Sequence, residues 1–232
     1  MSIALDFSFL LQGEYPQMIA NGVGVMLKLT VWSWLLAMTI GIALATVRMS
    51  DTRLGNALVS AYVEWHQNVP MLVHVFIWYF GVPAMLPEAW RNWINANDSE
   101  FLSACIAVGL VMAAYVSEAL RGGIRSIPRS QLEASRALGL SYLQSARLVV
   151  LPQALRIALP PLVSATVLLF KNTSLAMAVG AAELTYVTRE IESATFRTFE
   201  VYLLATVVYL GISLLIMAAG RWLEQHYRIK ER

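Results

Sequence analysis

Lys171, Asn172, Thr173 and Ser174 are four consecutive polar residues inside an otherwise apolar run. The Lys171 ammonium and the Ser174 hydroxyl can hold a carboxylate, and the Asn172 carbonyl or the Glu118 carboxylate can accept from an ammonium group. The same patch can instead make hydrogen bonds between helices, each worth about 0.6–2 kcal/mol in a membrane. Glu118 and Arg121 are three residues apart, so on a helix they share a face. They form a local ion pair or present charge to a ligand. Covalent chemistry finds no such support. There is no His-Glu-x-x-His pair, no Gly-x-x-x-x-Gly-Lys-Ser/Thr phosphate loop, and no histidine near Ser174 in sequence. His66, His74 and His226 are scattered, and Cys105 is the single cysteine, which excludes an intrachain disulfide and a multi-cysteine metal site.

The elements that carry these residues follow from composition. Of 232 residues, 58% are hydrophobic and 14% are charged, against about 25% charged in soluble domains. Mean hydropathy is +0.59. Such a chain is an integral membrane protein, and its net charge of +2 makes nucleic acid an unsuitable partner. Apolar stretches long enough to cross a bilayer core, about 20 residues, fall near 22–47, 58–86, 101–120, 157–182 and 201–220. They predict an all-α polytopic protein of about five transmembrane helices. The second stretch is the weakest. It includes Glu64, His66, Gln67, Asn68 and Pro70, so its membrane part is expected to start near Pro70. Lys28 lies near one helix end and can snorkel to the interface; Lys171 falls near mid-span. Gly41 with Ala37 and Ala45 makes a small-residue stripe suited to close helix packing.

Orientation follows from basic residues, which are enriched in cytoplasmic loops. Alternate compartments collect twelve Lys and Arg against three. The rich side holds Arg48 and Arg53, the six arginines between Arg121 and Arg156, and the C-terminal Arg221, Arg228, Lys230 and Arg232. This places the N-terminus outside and the C-terminus inside. Trp90, Trp93, Tyr202, Trp222 and Tyr227 sit near span ends, as interfacial aromatics do. The first twenty residues carry Asp6 and Glu14 and no Lys or Arg, unlike a secretory signal.

The connection over about 121–156 is the most informative. Ser130 and Glu133 have capping-box spacing, as do Ser141 and Gln144. Gly139 stands where a helix C-terminus favours a left-handed residue, and Pro152 is expected to interrupt or bend the helix that begins at Ser141. Two short helices joined at Gly139 would form a compact knob carrying Arg136, Arg147, Leu138, Tyr142, Leu148 and Val149. It is a docking element, or a connector packed under its own helices.

Glu133-Ala134-Ser135, then Gly139, then Leu151-Pro152 resemble the EAA loop of binding-protein-dependent ABC importer permeases, with Ser135 in place of the second alanine. Further stretches are similar to the polar amino acid permeases of the histidine, glutamine and glutamate type. They are Tyr115-Val116-Ser117-Glu118 with Arg121-Gly122-Gly123, Leu151-Pro152-Gln153 with Leu159-Pro160, Phe170-Lys171-Asn172-Thr173-Ser174-Leu175, and Val69-Pro70 with Tyr79-Phe80-Gly81-Val82-Pro83. The likeness runs from about Gly22 to Arg221.

The resemblance implies a type I ABC importer fold and a subunit that performs no chemistry. Glu133, Ala134, Ser135, Gly139, Leu151 and Pro152 would couple it to a cytoplasmic ABC ATPase dimer. Glu118, Arg121, Lys171, Asn172, Thr173 and Ser174 would line or support the substrate pathway. The chain itself would bind no cofactor and no metal, ATP being used by the ATPase. Other implied partners are a second permease chain, identical or homologous, a periplasmic amino-acid-binding protein and the lipid bilayer of a bacterial inner membrane. The division expected is a periplasmic segment 1–20, a permease domain 21–222 and a cytoplasmic tail 223–232. Glutamate or aspartate is the expected cargo; glutamine, histidine or arginine are alternatives. An ion-coupled carrier working alone would call for inverted repeats or paired interrupted helices, and none is evident.

Overall fold

The computed structural model describes residues 5–50 and 52–227, so Arg228, Lys230 and Arg232 of the expected C-terminal tail lie outside the described residues. The fold is all-α. In order it comprises α1 (Tyr15–Met49), α2 (Arg53–Asn68), α3 (Met71–Met85), α4 (Glu88–Ala96), α5 (Ser99–Arg125), α6 (Arg129–Ala137), α7 (Tyr142–Val179), α8 (Leu184–Thr195) and α9 (Thr198–Tyr227). Among the described residues, α1, α5, α7 and α9 are each long and apolar enough to cross a membrane; α2 and α3 pass that test only together, as a pair bent by 105° at its break, so the candidate spans number four or five.

Helix α5 is the hub. Residues on most of its circumference are buried, among them Val108, Met112, Val116 and Leu120, which pack against Ala37 and Ala45 of α1 and Ala158, Ala165 and Leu169 of α7. The small-residue stripe explains the closeness of α1. A Cβ on Gly41 would lie 2.6 Å from the Val116 side chain. The stripe continues as Gly22, Met26, Leu29 and Ser33, one face at helical spacing. By contrast α9 leaves Val207, Leu210, Leu214 and Leu215 exposed, as a helix solvated by lipid does.

Proline positions set the helix irregularities. Pro70 caps α3 after the extended Val69, so the chain turns there, and the expected start near Pro70 matches the break. Pro83 and Pro152 break nothing. Each follows a five-residue π-turn, Ile77–Gly81 and Ala146–Val150. A helical proline lacks an N–H and collides with the carbonyl four residues back. Widening the preceding turn removes both problems: Val82 N–H bonds to the Ile77 carbonyl and Leu151 N–H to the Ala146 carbonyl.

Several expectations are corrected here. Pro152 does not interrupt the chain, so the second short loop helix is the first turns of α7 and is continuous with the span. Lys171 lies toward the Val179 end of α7, within the stretch 157–182 expected to span. Pro128, with φ −59° and ψ 140°, takes the α6 cap position, so Ser130 is inside the helix and the Ser130–Glu133 box does not form. The Ser141–Gln144 box forms in both directions. Helix α4 lies within a stretch read as a connection; it is too short and too polar to register as a span. Helix α1 begins at Tyr15 and α9 ends at Tyr227 among the described residues.

Candidate functional site

At the end bearing the 121–156 connection, α6 and the start of α7 form the knob. Its corner is a Schellman turn: Leu140 N–H bonds to the Ser135 carbonyl at 3.2 Å and Gly139 N–H to the Arg136 carbonyl at 3.0 Å. Gly139 has φ +86°, the left-handed region that favours glycine. The Arg136 guanidinium closes the corner by donating to the Leu140 carbonyl. Ser135 is buried and its hydroxyl bonds to the Leu132 carbonyl, which explains why a small residue is needed there. Glu133 and Ala134 are exposed, as are Leu151 and Pro152. So are Leu138 at 84%, Leu143 at 76% and Tyr142 at 66%. The knob therefore buries its small polar residue and presents large apolar residues at one end of the molecule.

Glu118 and Arg121 do pair, as their spacing predicts, with Arg121 Nε donating to Glu118 Oε2 at 2.9 Å. Arg48 of α1 is a third member. Its Nη1 donates to Glu118 Oε1 at 2.6 Å and its Nη2 to Ser60 of α2 at 3.0 Å. The cluster therefore ties α1, α2 and α5 together. Glu118 also lines a cavity of about 630 Å³ between α5 and α7, with Tyr115, Gly122, Pro161 and Ser164.

Lys171 occupies a different place. With Ser174, Thr185, Tyr202, Thr206 and Tyr209 it lines a cavity of about 550 Å³ between α7, α8 and α9 that has no acidic residue in its wall. Pro161, on the wall beside Glu118, is ten residues from Lys171, about 15 Å of helix rise. Lys171 and Glu118 thus do not converge on one small ligand. Thr173 is fully buried, its hydroxyl bonded to the Phe170 carbonyl, and Asn172 is half-buried outside the cavity wall. Ser174 lines the cavity while its hydroxyl donates to the Lys171 carbonyl.

Behind this cavity stands Glu183, fully buried at the N-cap of α8. Its carboxylate accepts from Thr185 N–H at 2.9 Å, Tyr186 N–H at 3.0 Å and the Tyr209 hydroxyl at 2.8 Å. Burial pushes the carboxyl up, opposed by these donors. Sequence reasoning missed Glu183 and Arg48 as site members. Glu183 was readable, since it precedes an apolar-periodic helix three residues after Gly180. Arg48 was not, because its partner is seventy residues away.

Residues 37–229 match the family described as "Binding-protein-dependent transport system inner membrane component". The chain is 34% identical over 233 residues to the nopaline transport system permease protein NocM of Agrobacterium fabrum, covering 97% of this chain and 95% of that one. It is 32% identical over 219 residues to the glutamate/aspartate import permease protein GltJ of Escherichia coli K12, covering 93% and 89%. The fold superposes on the crystal structure of an amino acid ABC transporter with histidines at a TM-score of 0.84, with 26% identity, covering 97% of this chain and all of that one. The chain belongs to the binding-protein-dependent inner membrane components as a polar amino acid ABC transporter permease, a multi-pass transport subunit and not an enzyme, with ATP hydrolysed by a partner ATPase.

Proposed function

We propose that this chain forms the membrane pathway of an importer for an acidic amino acid, glutamate or aspartate, with the knob facing the cytoplasm. The observation that carries the cargo is the Lys171 cavity. It combines the Lys171 ammonium and the Tyr202 hydroxyl with a wall that holds no carboxylate. A ligand with surplus carboxylate suits that lining, and the likeness to GltJ supports the same reading. The second reading is a different polar amino acid such as glutamine, histidine or arginine; the likeness to NocM, a nopaline transport permease, supports a cargo other than glutamate or aspartate.

In this reading Glu133, Ala134, Ser135 and Gly139 meet a cleft on the ATPase dimer, and Leu151 and Pro152 carry the load into α7. A binding protein delivers cargo on the opposite side, and a second permease chain, identical or homologous, completes the pathway. Segment 1–20 is then periplasmic, 21–222 is the permease domain and 223–232 is cytoplasmic. The basic residues Arg48, Arg53, Arg121, Arg125, Arg129, Arg136 and Arg147 at the knob end support this orientation. ATP-driven closure of the ATPase would move the helices as rigid bodies, exposing the cavity to each side in turn. Glu118 and Arg121 would hold the helices in register near the pathway.

Uptake of labelled glutamate into proteoliposomes holding the whole transporter, with aspartate, glutamine, histidine and arginine as competitors, tests the cargo. Inhibition by aspartate alone, and loss of uptake in Lys171→Met with assembly intact, is the expected result. Normal uptake by that variant overturns the role of Lys171. Stronger competition by arginine or glutamine replaces the acidic cargo with the second reading.

A further inference from the structure

The knob end of the molecule holds a second, smaller cavity that the transport reading does not use. It measures about 340 Å³ and lies between the end of α1, the start of α2 and the end of α5. Three arginines line it, Arg48, Arg121 and Arg125, together with Ser60. Glu118 answers the first two; among the described residues Arg125 makes no ion pair of its own. Among the described residues, three guanidinium groups stand against one carboxylate.

The arginine geometry leaves donors unspent. Arg121 spends Nε and Nη2 on Glu118 while its Nη1 meets no acceptor among the described residues, and Arg125 is exposed, so both can reach a ligand in the cavity. Guanidinium forks match the oxygens of a phosphate group, each fork giving paired charge-assisted bonds. The remaining wall is Ala45, Met49, Ile124 and the Asn56 side chain, and Met49 and Val47 beside it are exposed at 46% and 43%. A cationic floor next to exposed apolar surface, at one end of two membrane-spanning helices, is complementary to an amphiphile. Basic pockets between helices at this depth suit anionic headgroups.

We propose that this cavity binds the phosphate of an anionic phospholipid, with Arg121 and Arg125 as its donors and Arg48 adding positive charge. The bound lipid would be a structural ligand joining α1, α2 and α5 at the place where Glu118 already links them. The same oxyanion chemistry would accept free phosphate, and the exposed apolar surface beside it favours the lipid source.

The test uses the whole transporter, purified in mild detergent and titrated with phosphatidylglycerol, phosphatidylethanolamine or inorganic phosphate. Native mass spectrometry counts retained lipid and thermal unfolding reads stabilisation. Wild type is expected to retain phosphatidylglycerol in preference to phosphatidylethanolamine. Arg125→Gln should bind it about fivefold more weakly, the factor that one lost basic contact near the membrane surface gives. Arg53→Gln, which removes the same charge at the same end outside the cavity, should bind like wild type. Should Arg125→Gln fail to fold, Arg125→Lys keeps the charge without the fork and is expected to bind with intermediate strength. Equal retention by Arg125→Gln and wild type overturns the site, as does an equal loss in Arg53→Gln. Full stabilisation by inorganic phosphate, with no preference for phosphatidylglycerol, overturns the lipid assignment. Cross-linking of Arg125 to the ATPase subunit in the assembled transporter would make these arginines a protein contact and also overturn it.

Discussion

Glu118 divides its two carboxylate oxygens between Arg48 of α1 and Arg121 of its own helix, so one side chain fixes the register of two helices that sequence separates by seventy residues. Arg48 is 14% exposed and Glu118 24%. Partial exposure moderates the pair's value, and a double-mutant cycle on Glu118→Gln and Arg48→Gln should give a coupling energy of about 1–2 kcal/mol. Thermal unfolding in detergent measures it. A coupling near zero would mean that the contact is ornamental.

Gly139 supplies a second prediction because its two constraints separate. Its φ of +86° strains any L side chain, yet a Cβ there would meet nothing within 4 Å. Gly139→Val should destabilise the corner by about 1–2 kcal/mol, lower co-purification of the ATPase and reduce uptake. Gly139→Asn, which tolerates left-handed backbone, should be close to normal. Equal defects in the two variants would show that space, not backbone conformation, governs the position.

Gly41 is the opposite case, with ordinary helical backbone and no room. Gly41→Ala would press on Val116 and cost about 1–3 kcal/mol by overpacking. Val116→Ala in the same chain should restore most of that loss, read as recovery of the unfolding temperature. Failure of the second change to rescue the first would place the clash elsewhere.

The N-terminal segment is latched to the turn between α8 and α9. Arg197 donates to the Asp6 carboxylate at 2.8 Å and its guanidinium lies 4.5 Å from the centre of the Phe9 ring. Bonds from the Ser8 hydroxyl, then from Arg197, hold the Asp6 carboxyl well below the usual range. A depressed carboxyl pKa means the latch contributes fully above the unfolded value near 4 and is lost as pH falls toward the lower folded value. The stability gap between wild type and Asp6→Asn should therefore be flat from about pH 5 to 8 and close in stronger acid. A gap that widens on acidification would contradict the sign.

Much of this was legible in the amino-acid order, for identifiable reasons. Long apolar runs announce α1, α5, α7 and α9 because lipid demands them, and Pro70 announces the break between α2 and α3. The Ser141–Gln144 cap and the Gly139 turn depend on residues a few positions apart, and both form. The Ser130 cap depends on equally local chemistry but loses to Pro128, whose fixed φ takes the cap position two residues earlier. Arg48–Glu118 and Tyr209–Glu183 were beyond reach, since they depend on how helices are rotated against one another. Pro152 misled for a subtler reason. Whether a proline bends a helix depends on the turn before it, and a π-turn absorbs what an α-turn cannot.

That π-turn makes α7 a single rod of 38 residues from Tyr142 to Val179, about 57 Å long. A bilayer core is about 30 Å thick, so the rod overshoots it by nearly half its length. One end is the exposed corner beside Gly139; close to the other is the wall holding Lys171. Between them lie Pro160 and Pro161, inside the helix and without the N–H groups that would bond one turn back. Whatever grips the corner holds a crank handle: a small rotation there turns the Lys171 wall by the same angle, with no relay of side chains in between. The widened turn at Ala146–Val150 and the Pro160–Pro161 pair are the places along the shaft where torque could be taken up as slack.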